Sequence, residues 1–308
     1  MTSPVDTPPT PETVGIVVVT YNRADLLARM LEGLEGLEHA PDLVLVVDNA
    51  STDHTAEVLA RPWRLALEVV TSEENVGGAG GFHCGVREAL ARGVDRVWLM
   101  DDDVVPAPDC LSVLMGFDED ALFSVREDLT GALCEKAAVR FDLTHPWVLK
   151  PKTASVETAY GTRHAMPATV ELENVAFEGL MLRRRVLETI GLPDPSFFIF
   201  YDDVDLAIRA RRAGFRILAV RDAVLVRQLV FDQQHDLAGW KGFYMYRNLF
   251  AVHFRYGENA AVRAKPYLLA LLVVLLSPLR GGRGEARNVI SALRSARGMR
   301  ALPAASVD

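Results

Sequence analysis

Residues 14–19, Val-Gly-Ile-Val-Val-Val, form an unbroken apolar and largely β-branched run, the pattern of a strand buried on both faces. The run stops at Thr20-Tyr21-Asn22-Arg23. From Asp25 onward, apolar residues recur at helical spacing, at Leu26, Leu27, Met30, Leu31 and Leu34. Residues 43–47 repeat the buried-strand pattern and end in Asp48-Asn49-Ala50-Ser51-Thr52-Asp53. A short helix and a strand near 67–70 follow. Glu74-Asn75-Val76-Gly77-Gly78-Ala79-Gly80-Gly81 then opens a helix through Ala91. The next strand, 97–100, ends abruptly in Asp101-Asp102-Asp103. Alternating strands and helices predict an α/β fold with a doubly wound, mostly parallel sheet. Right-handed crossovers bring Thr20–Arg23, 48–53 and 101–103 to one edge, where open sheets of this class bind ligands.

The pattern is weaker further on. Residues 120–170 are irregular, with His145-Pro146-Trp147 and Lys150-Pro151-Lys152 reading as loops. Residues 170–177 suggest a strand. Glu178-Gly179 then introduces a predicted helix, with Leu180-Met181-Leu182-Arg183-Arg184-Arg185 in it, ending at Gly191-Leu192-Pro193. Phe197, Phe198, Phe200 and Tyr201 lead into Asp202-Asp203 and a helix that stops at Gly214. Beyond Asp222 the periodicity fades, and residues 228–235 read as a loop. Residues 240–254 are aromatic-rich and helical. Residues 267–276 are strongly apolar but stop at Ser277-Pro278, short of the roughly 20 residues that span a bilayer. Arg280, Arg283, Arg287, Arg294, Arg297 and Arg300 follow, against Glu285 alone. That pairing suits a monotopic contact with anionic lipid. It also suits a core helix with a solvated arginine face. The chain divides into a disordered tail at 1–13, an α/β domain at 14–255, and a helical, basic, membrane-associating extension at 256–308.

Composition narrows the class. The chain has 308 residues, half of them hydrophobic, enough for one large domain or two modest ones. Its net charge of −8 argues against a general nucleic-acid binder. Cys84, Cys110 and Cys134 are widely spaced and form neither a zinc pattern nor a disulfide framework, which fits a reducing compartment. The Pro/Thr-rich start has no apolar core and does not read as a signal peptide.

The acidic triplet carries the chemistry. Three carboxylates at a strand end repel one another unless a cation or hydrogen-bond donors offset them. In an extended segment Asp101 and Asp103 share one face and Asp102 takes the other. Two same-face carboxylates suit a hard divalent cation that keeps positions open for phosphate oxygens. An acidic turn capping the next helix is the simpler alternative. The glycine cluster misses the G-x-G-x-x-G spacing, with His83 where the third glycine belongs, and there is no Walker lysine. Its glycines permit either close approach of backbone to a ligand or tight packing at a helix start. At Asp202-Asp203, helix capping is one role, and a carboxylate beside aromatics can also serve as a general base.

Taken in order, Val17-Val18-Val19-Thr20-Tyr21-Asn22-Arg23, Val46-Val47-Asp48-Asn49-Ala50-Ser51, Asn75–Gly81, Asp101-Asp102-Asp103, Glu178-Gly179 and Asp202-Asp203 resemble the family 2 inverting glycosyltransferases of the GT-A fold. The resemblance implies a nucleotide-sugar donor contacted by Thr20, Asn22, Arg23, Asp48, Asn75, Gly78, Asp101 and Asp102. It implies Mn²⁺ or Mg²⁺ on Asp101 and Asp103, an acceptor site including Glu178, Gly179 and Asp202, and Asp203 as catalytic base. Within the family, the 75–81 segment, Trp98–Asp103 and Tyr246-Arg247-Asn248 look most like the actinobacterial galactofuranosyltransferases that begin the cell-wall galactan, and like related rhamnosyltransferases. That implies a lipid-linked glycan acceptor at the cytoplasmic face of the plasma membrane. Those enzymes carry a metal-binding His downstream of the base. Here Arg227 and Gln228 occupy that region and the nearest His is His235. Three readings stay open: His235 reaches the metal, an arginine bears on the diphosphate instead, or the metal site is weak.

The implied reaction is direct displacement. The metal and nearby donors stabilise charge developing on the leaving diphosphate. The acceptor hydroxyl attacks the opposite face of the anomeric carbon while a carboxylate takes its proton. A sugar-nucleotide pyrophosphorylase would have a glycine-rich basic loop after the first strand, and Thr20-Tyr21-Asn22-Arg23 is not one. A non-catalytic nucleotide-sugar-binding scaffold is the remaining alternative.

Overall fold

The computed structural model describes residues 12–229, 239–279 and 282–301. In chain order the first half runs β1 (Val14–Thr20), α1 (Ala24–Glu35), β2 (Leu43–Asp48), α2 (Thr55–Leu59), β3 (Leu67–Thr71), α3 (Gly77–Ala91), β4 (Arg96–Asp101), β5 (Val104–Pro106), α4 (Cys110–Met115) and β6 (Ala121–Glu127). The second half runs β7 (Ala138–Phe141), β8 (Lys152–Ser155), α5 (Val156–Tyr160), β9 (Thr169–Leu172), β10 (Leu180–Arg183), α6 (Arg184–Ile190), α7 (Asp202–Arg212), β11 (Ile217–Arg227), α8 (Trp240–Tyr256), α9 (Ala260–Leu276) and α10 (Gly282–Ala296).

One central sheet has the order β3-β2-β1-β4-β10-β6-β11-β5, with β9 also on β11. Strands β3, β2, β1 and β4 are mutually parallel, as the alternation predicts. Both faces of β1 are buried. Val17 and Val19 join one core with Phe82 of α3, Leu187 of α6 and Leu206 of α7, and Ile16 and Val18 join a second with Leu27 and Leu31 of α1. A third core holds Phe197, Ile208, Phe250, Tyr256 and Val289, so α8, α9 and α10 pack around α7 and the loop before it.

The structure corrects several elements, among them residues 121–127, read as irregular, which form the buried central strand β6. Residues 180–183, expected at the start of a helix, form β10, and the helix begins only at Arg184. Leu180, Met181 and Leu182 are fully enclosed between β4 and β6, pairing antiparallel with both, so tertiary pairing overrides local helical character. The stretch after Gly214, given no element from sequence and fading only beyond Asp222, is a long strand, β11, whose pairing with β6 breaks at a bulge between Val220 and Val224. The 170–177 strand shrinks to β9. The apolar helix is longer than its sequence core: it starts at Ala260, and with the turn after it the helical stretch runs 20 residues to Leu279.

Candidate active site

Strand β4 ends at Asp101, and Asp102 and Asp103 lie in the turn that follows. Asp102 turns toward β1, where Thr20 Oγ1 donates to its Oδ2 at 2.8 Å and Arg23 Nη1 to its Oδ1 at 3.0 Å. Asp101 and Asp103 meet Glu178, with one oxygen from each of the three within 4.8 Å of the others, and Arg23 Nη1 also lies 3.5 Å from Asp103 Oδ2. Glu178 arrives there through Gly179. That glycine has φ +108, its N–H donates to Leu99 O at 2.8 Å, and a Cβ would come 2.8 Å from Leu225 Cδ1. The antiparallel step from β4 into β10 therefore needs glycine at 179 and leaves Glu178 beside Asp101.

A buried arginine orients Glu178. Arg126 Nε and Nη2 donate to the two oxygens of Glu135 at 2.8 and 2.7 Å, and its Nη1 donates to Glu178 Oε2. Arg227 Nη2 lies 3.7 Å from Glu178 Oε1, placed by the β11 end, where Gln228 N–H donates to Asp103 O at 2.8 Å. Burial would raise Glu178, but the Arg126 and Arg227 charges outweigh it and hold it below the usual carboxylate range. Burial, then the charges of Glu178 and Asp103, pushes Asp101 well up; burial and Glu178 raise Asp103. Burial brings Asp102 up to about 6 against the pull of Arg23 and Thr20.

This donor set fits a divalent cation. Asp103 Oδ1 is buried with no hydrogen-bond partner among the described residues. An unpaired buried carboxylate oxygen is costly, and a hard cation on three converging carboxylates would offset both that and their mutual repulsion. His235, one of the open candidates for a third ligand, lies outside the described residues.

The strand-end loops are tied to each other. Asn22, at φ 52, accepts from Thr52 N at 2.7 Å and Asp53 N at 3.3 Å, locking the first loop to the second. Asp48 Oδ1 accepts from Ser51 N at 2.9 Å. Asn75 Oδ1 accepts from Gly77 N at 2.9 Å and from Asn49 Nδ2 at 3.1 Å. Asn49, which the sequence reading did not single out, also donates to Gly77 O and accepts from Val76 N, both at 3.0 Å. The glycines divide by role. A Cβ at Gly81 would sit 2.5 Å from Val19, and one at Gly77 2.1 Å from Phe198 O, so these serve packing. Around Gly78 there is open space, which leaves room for close approach of a ligand.

Asp203 sits in the first turn of α7, reached through a tightly bent loop. Phe198, Phe200 and Tyr201 all have positive φ, at 63, 68 and 67. Asn248, fully buried in α8, holds this loop: its Nδ2 donates to Phe197 O at 3.0 Å, Ile199 O at 2.8 Å and Phe200 O at 2.9 Å. Arg247 Nη2 adds bonds to Ser196 O and Phe197 O, both at 2.7 Å. Phe198 O in turn accepts from Ala79 N at 3.1 Å, docking the loop on the start of α3. Asp203 Oδ1 accepts from Val204 N at 2.7 Å, and burial pushes the group up to about 6 despite Lys152 and Arg126 nearby. Burial and the Asp203 charge put Asp202 well above the carboxylate range. The charges of Glu178 and Arg126 act on Asp203, which links the base candidate to the carboxylate cluster. Lys152 and the Arg126–Glu135 pair were not signalled by any local pattern.

The sequence model described as "Glycosyltransferase like family 2" matches residues 10–240. The galactofuranosyltransferase GlfT1 of Mycobacterium tuberculosis is 31% identical over 251 residues, 77% of this chain and 81% of that protein. The N-acetylglucosaminyl-diphospho-decaprenol L-rhamnosyltransferase of the same organism is 23% identical over 245 residues, 72% of this chain and 78% of that protein. Among solved structures, the mannosyltransferase PcManGT of Pyrobaculum calidifontis, in complex with GDP-Man and Mn²⁺, superposes with TM-score 0.54 at 23% identity, over 98% of this chain and 81% of that one.

Proposed function

The chain belongs to the family 2-like glycosyltransferases, and from that premise we propose that it is a metal-dependent, inverting enzyme. The reading is transfer of galactofuranose from UDP-galactofuranose to a hydroxyl of a lipid-linked cell-wall glycan, at the cytoplasmic membrane face. The observation that carries the chemistry is the convergence of Asp101, Asp103 and Glu178, with the Glu178 charge acting on Asp203. The GlfT1 relative, at 31% identity, supports the sugar.

Asp101, Asp103 and Glu178 would hold Mn²⁺ or Mg²⁺, with Glu178 supplying the third protein ligand where related enzymes use a His. When bound, the cation neutralises charge on the donor's diphosphate. The remaining work falls to the chain's own groups. Thr20 and Arg23 fix Asp102, and the Asn22, Asp48 and Asn49 ties hold the loops that would face base and ribose. Gly78 leaves the backbone of α3 open to the diphosphate. Asp203, ionised above about pH 6, takes the proton from the attacking hydroxyl, a contribution of about 10²–10⁴-fold. Asp202, whose pKa burial and the Asp203 charge raise, braces the start of α7 on the acceptor side. The exposed apolar side of α9 supports a peripheral membrane contact that brings the site to its acceptor.

Transfer of rhamnose from dTDP-rhamnose is the second reading, supported by the rhamnosyltransferase relative. The test incubates the full chain with a panel of sugar nucleotides and a polyprenyl-diphosphate glycan, with Mn²⁺ or with chelator. UDP release from UDP-galactofuranose, requiring Mn²⁺ and acceptor, is expected. dTDP release from dTDP-rhamnose selects the second reading. Donor binding without release of either overturns both in favour of a scaffold.

A further inference from the structure

Helix α9 is partly embedded. Val262, Pro266 and Ala270 face the packed side, while Leu268, Leu271, Leu275 and Leu279 are open to solvent, the last two 65% and 85% exposed. The loop between β7 and β8 is fastened to the start of this helix. Lys265 Nζ, itself buried, donates to Val148 O and to His145 O at 3.4 Å. Asn259 Nδ2 donates to Thr144 O at 2.6 Å, and Thr144 Oγ1 to Glu258 Oε2 at 2.9 Å. At helical spacing, positions 265, 268, 272 and 276 form one stripe. The loop therefore covers the first turn of the stripe that Leu268, Leu272 and Leu276 continue in the open. On either side of the anchored Val148, Trp147 and Leu149 project outward, 74% and 63% exposed.

We infer that the 143–150 loop and α9 form a two-part membrane contact, with Trp147 and Leu149 entering the interface of an anionic bilayer beside the α9 leucines. The inference deepens, and rests on, the peripheral-membrane reading above. Exposed Trp147 and Leu149 fixed beside the α9 leucines give a larger apolar contact than the helix alone. A tryptophan beside them has the apolar ring and polar N–H that favour the headgroup level. Exposed Arg283, Arg287, Arg294, Arg297 and Arg300 on and after α10 concentrate positive charge in a chain of net charge −8. Anionic headgroups complement that charge, whereas a two-fold contact with a second copy would set arginines against arginines. The arrangement has a consequence at the site: β8 leaves this loop carrying Lys152, whose charge acts on Asp203. A membrane-seated loop is thereby continuous with the strand whose lysine acts on the base candidate.

The test uses the full chain with phosphatidylglycerol-containing vesicles whose acyl chains carry bromine. Trp63 and Trp98 are at least partly enclosed, so quenching by bromine reads Trp147 and Trp240, and Trp147→Phe separates those two. Expected are quenching that Trp147→Phe largely removes and about tenfold weaker vesicle partition for Leu149→Glu, with unchanged circular dichroism. Leu275→Glu reports on α9 alone. If Leu275→Glu abolishes binding while Leu149→Glu and Trp147→Phe change neither binding nor quenching, the loop contact is overturned and the peripheral reading stands. If the unmodified chain ignores the vesicles at low salt, both fall. Concentration-dependent dimerisation removed by Leu149→Glu would also overturn the inference, assigning the face to a second copy.

Discussion

Asn248→Asp is a near-isosteric change with a large expected cost. The amide Nδ2 of Asn248 donates to three carbonyls, those of Phe197, Ile199 and Phe200. Those bonds hold a loop in which three non-glycine residues have positive φ, each costing roughly 1–2 kcal/mol. Removing the donor with Asn248→Ala forfeits the bonds of its two N–H groups, one shared between two carbonyls, at about 1 kcal/mol each, and the loop regains part of that by relaxing. At about 2–4 °C per kcal/mol, the midpoint of thermal unfolding should fall by up to about 8 °C. Asn248→Asp is worse, because it turns a buried acceptor toward three other acceptors. The loop also positions Asp203, and a displacement on the order of 1 Å at the reacting groups costs about 10²-fold in turnover. The assays are thermal unfolding and single-turnover kinetics with Ala and Asp variants side by side. Wild-type midpoint and turnover in Asn248→Asp would refute the reasoning.

Asp203→Asn should lower turnover by about 10²-fold or more with donor affinity nearly unchanged, while Asp202→Asn costs less turnover; steady-state kinetics with donor-binding titrations decide, and the reverse ranking would exchange their roles. Because burial raises Asp203 to about 6, the rate should fall as pH drops through about 6. The same raised value makes its contribution to stability full below the unfolded carboxylate range near 4 and lost as pH rises through about 6. Asp203→Asn should therefore raise the unfolding midpoint at pH 7.5 and lose that advantage below about pH 4. Arg126→Met strands the fully buried Glu135 and should destabilise by about 3–5 kcal/mol, as breaking a buried pair does. Adding Glu135→Gln should restore stability in chemical denaturation without restoring Mn²⁺ affinity, because Glu178 still lacks its orienting donor.

How much of this was legible from sequence follows from where the determining contacts lie. Strands β1, β2 and β4 are enclosed on both faces, so they write continuous apolar runs and could be placed from residues alone. Strand β10 offers only Leu180 to Leu182 before three arginines, and its identity comes from pairing with β4 and β6 across long stretches of chain. Strand β11 hides because a bulge and the polar Arg221-Asp222 interrupt it. The pairing of Asp101 with Asp103 was expected from strand alternation, but the strand ends at Asp101 and a turn brings the two together. The meeting of Glu178 with Asp101 was not, because it depends on the Leu180–Leu99 register and on Gly179. Asn49, between Asp48 and an alanine with φ 63, could have been marked as a loop-organising amide. The Asn248 contacts to 197–200 join segments about fifty residues apart and leave no periodic trace.

The central claim is that Asp101, Asp103 and Glu178 converge to hold a divalent cation beside the donor diphosphate. Mn²⁺ binding in the presence of UDP, followed by electron paramagnetic resonance of free ion, measures this without turnover. The account predicts saturable uptake by the unmodified chain, and loss of it in folded Asp103→Ala and Glu178→Gln variants. Uptake in both variants equal to that of the unmodified chain would contradict it.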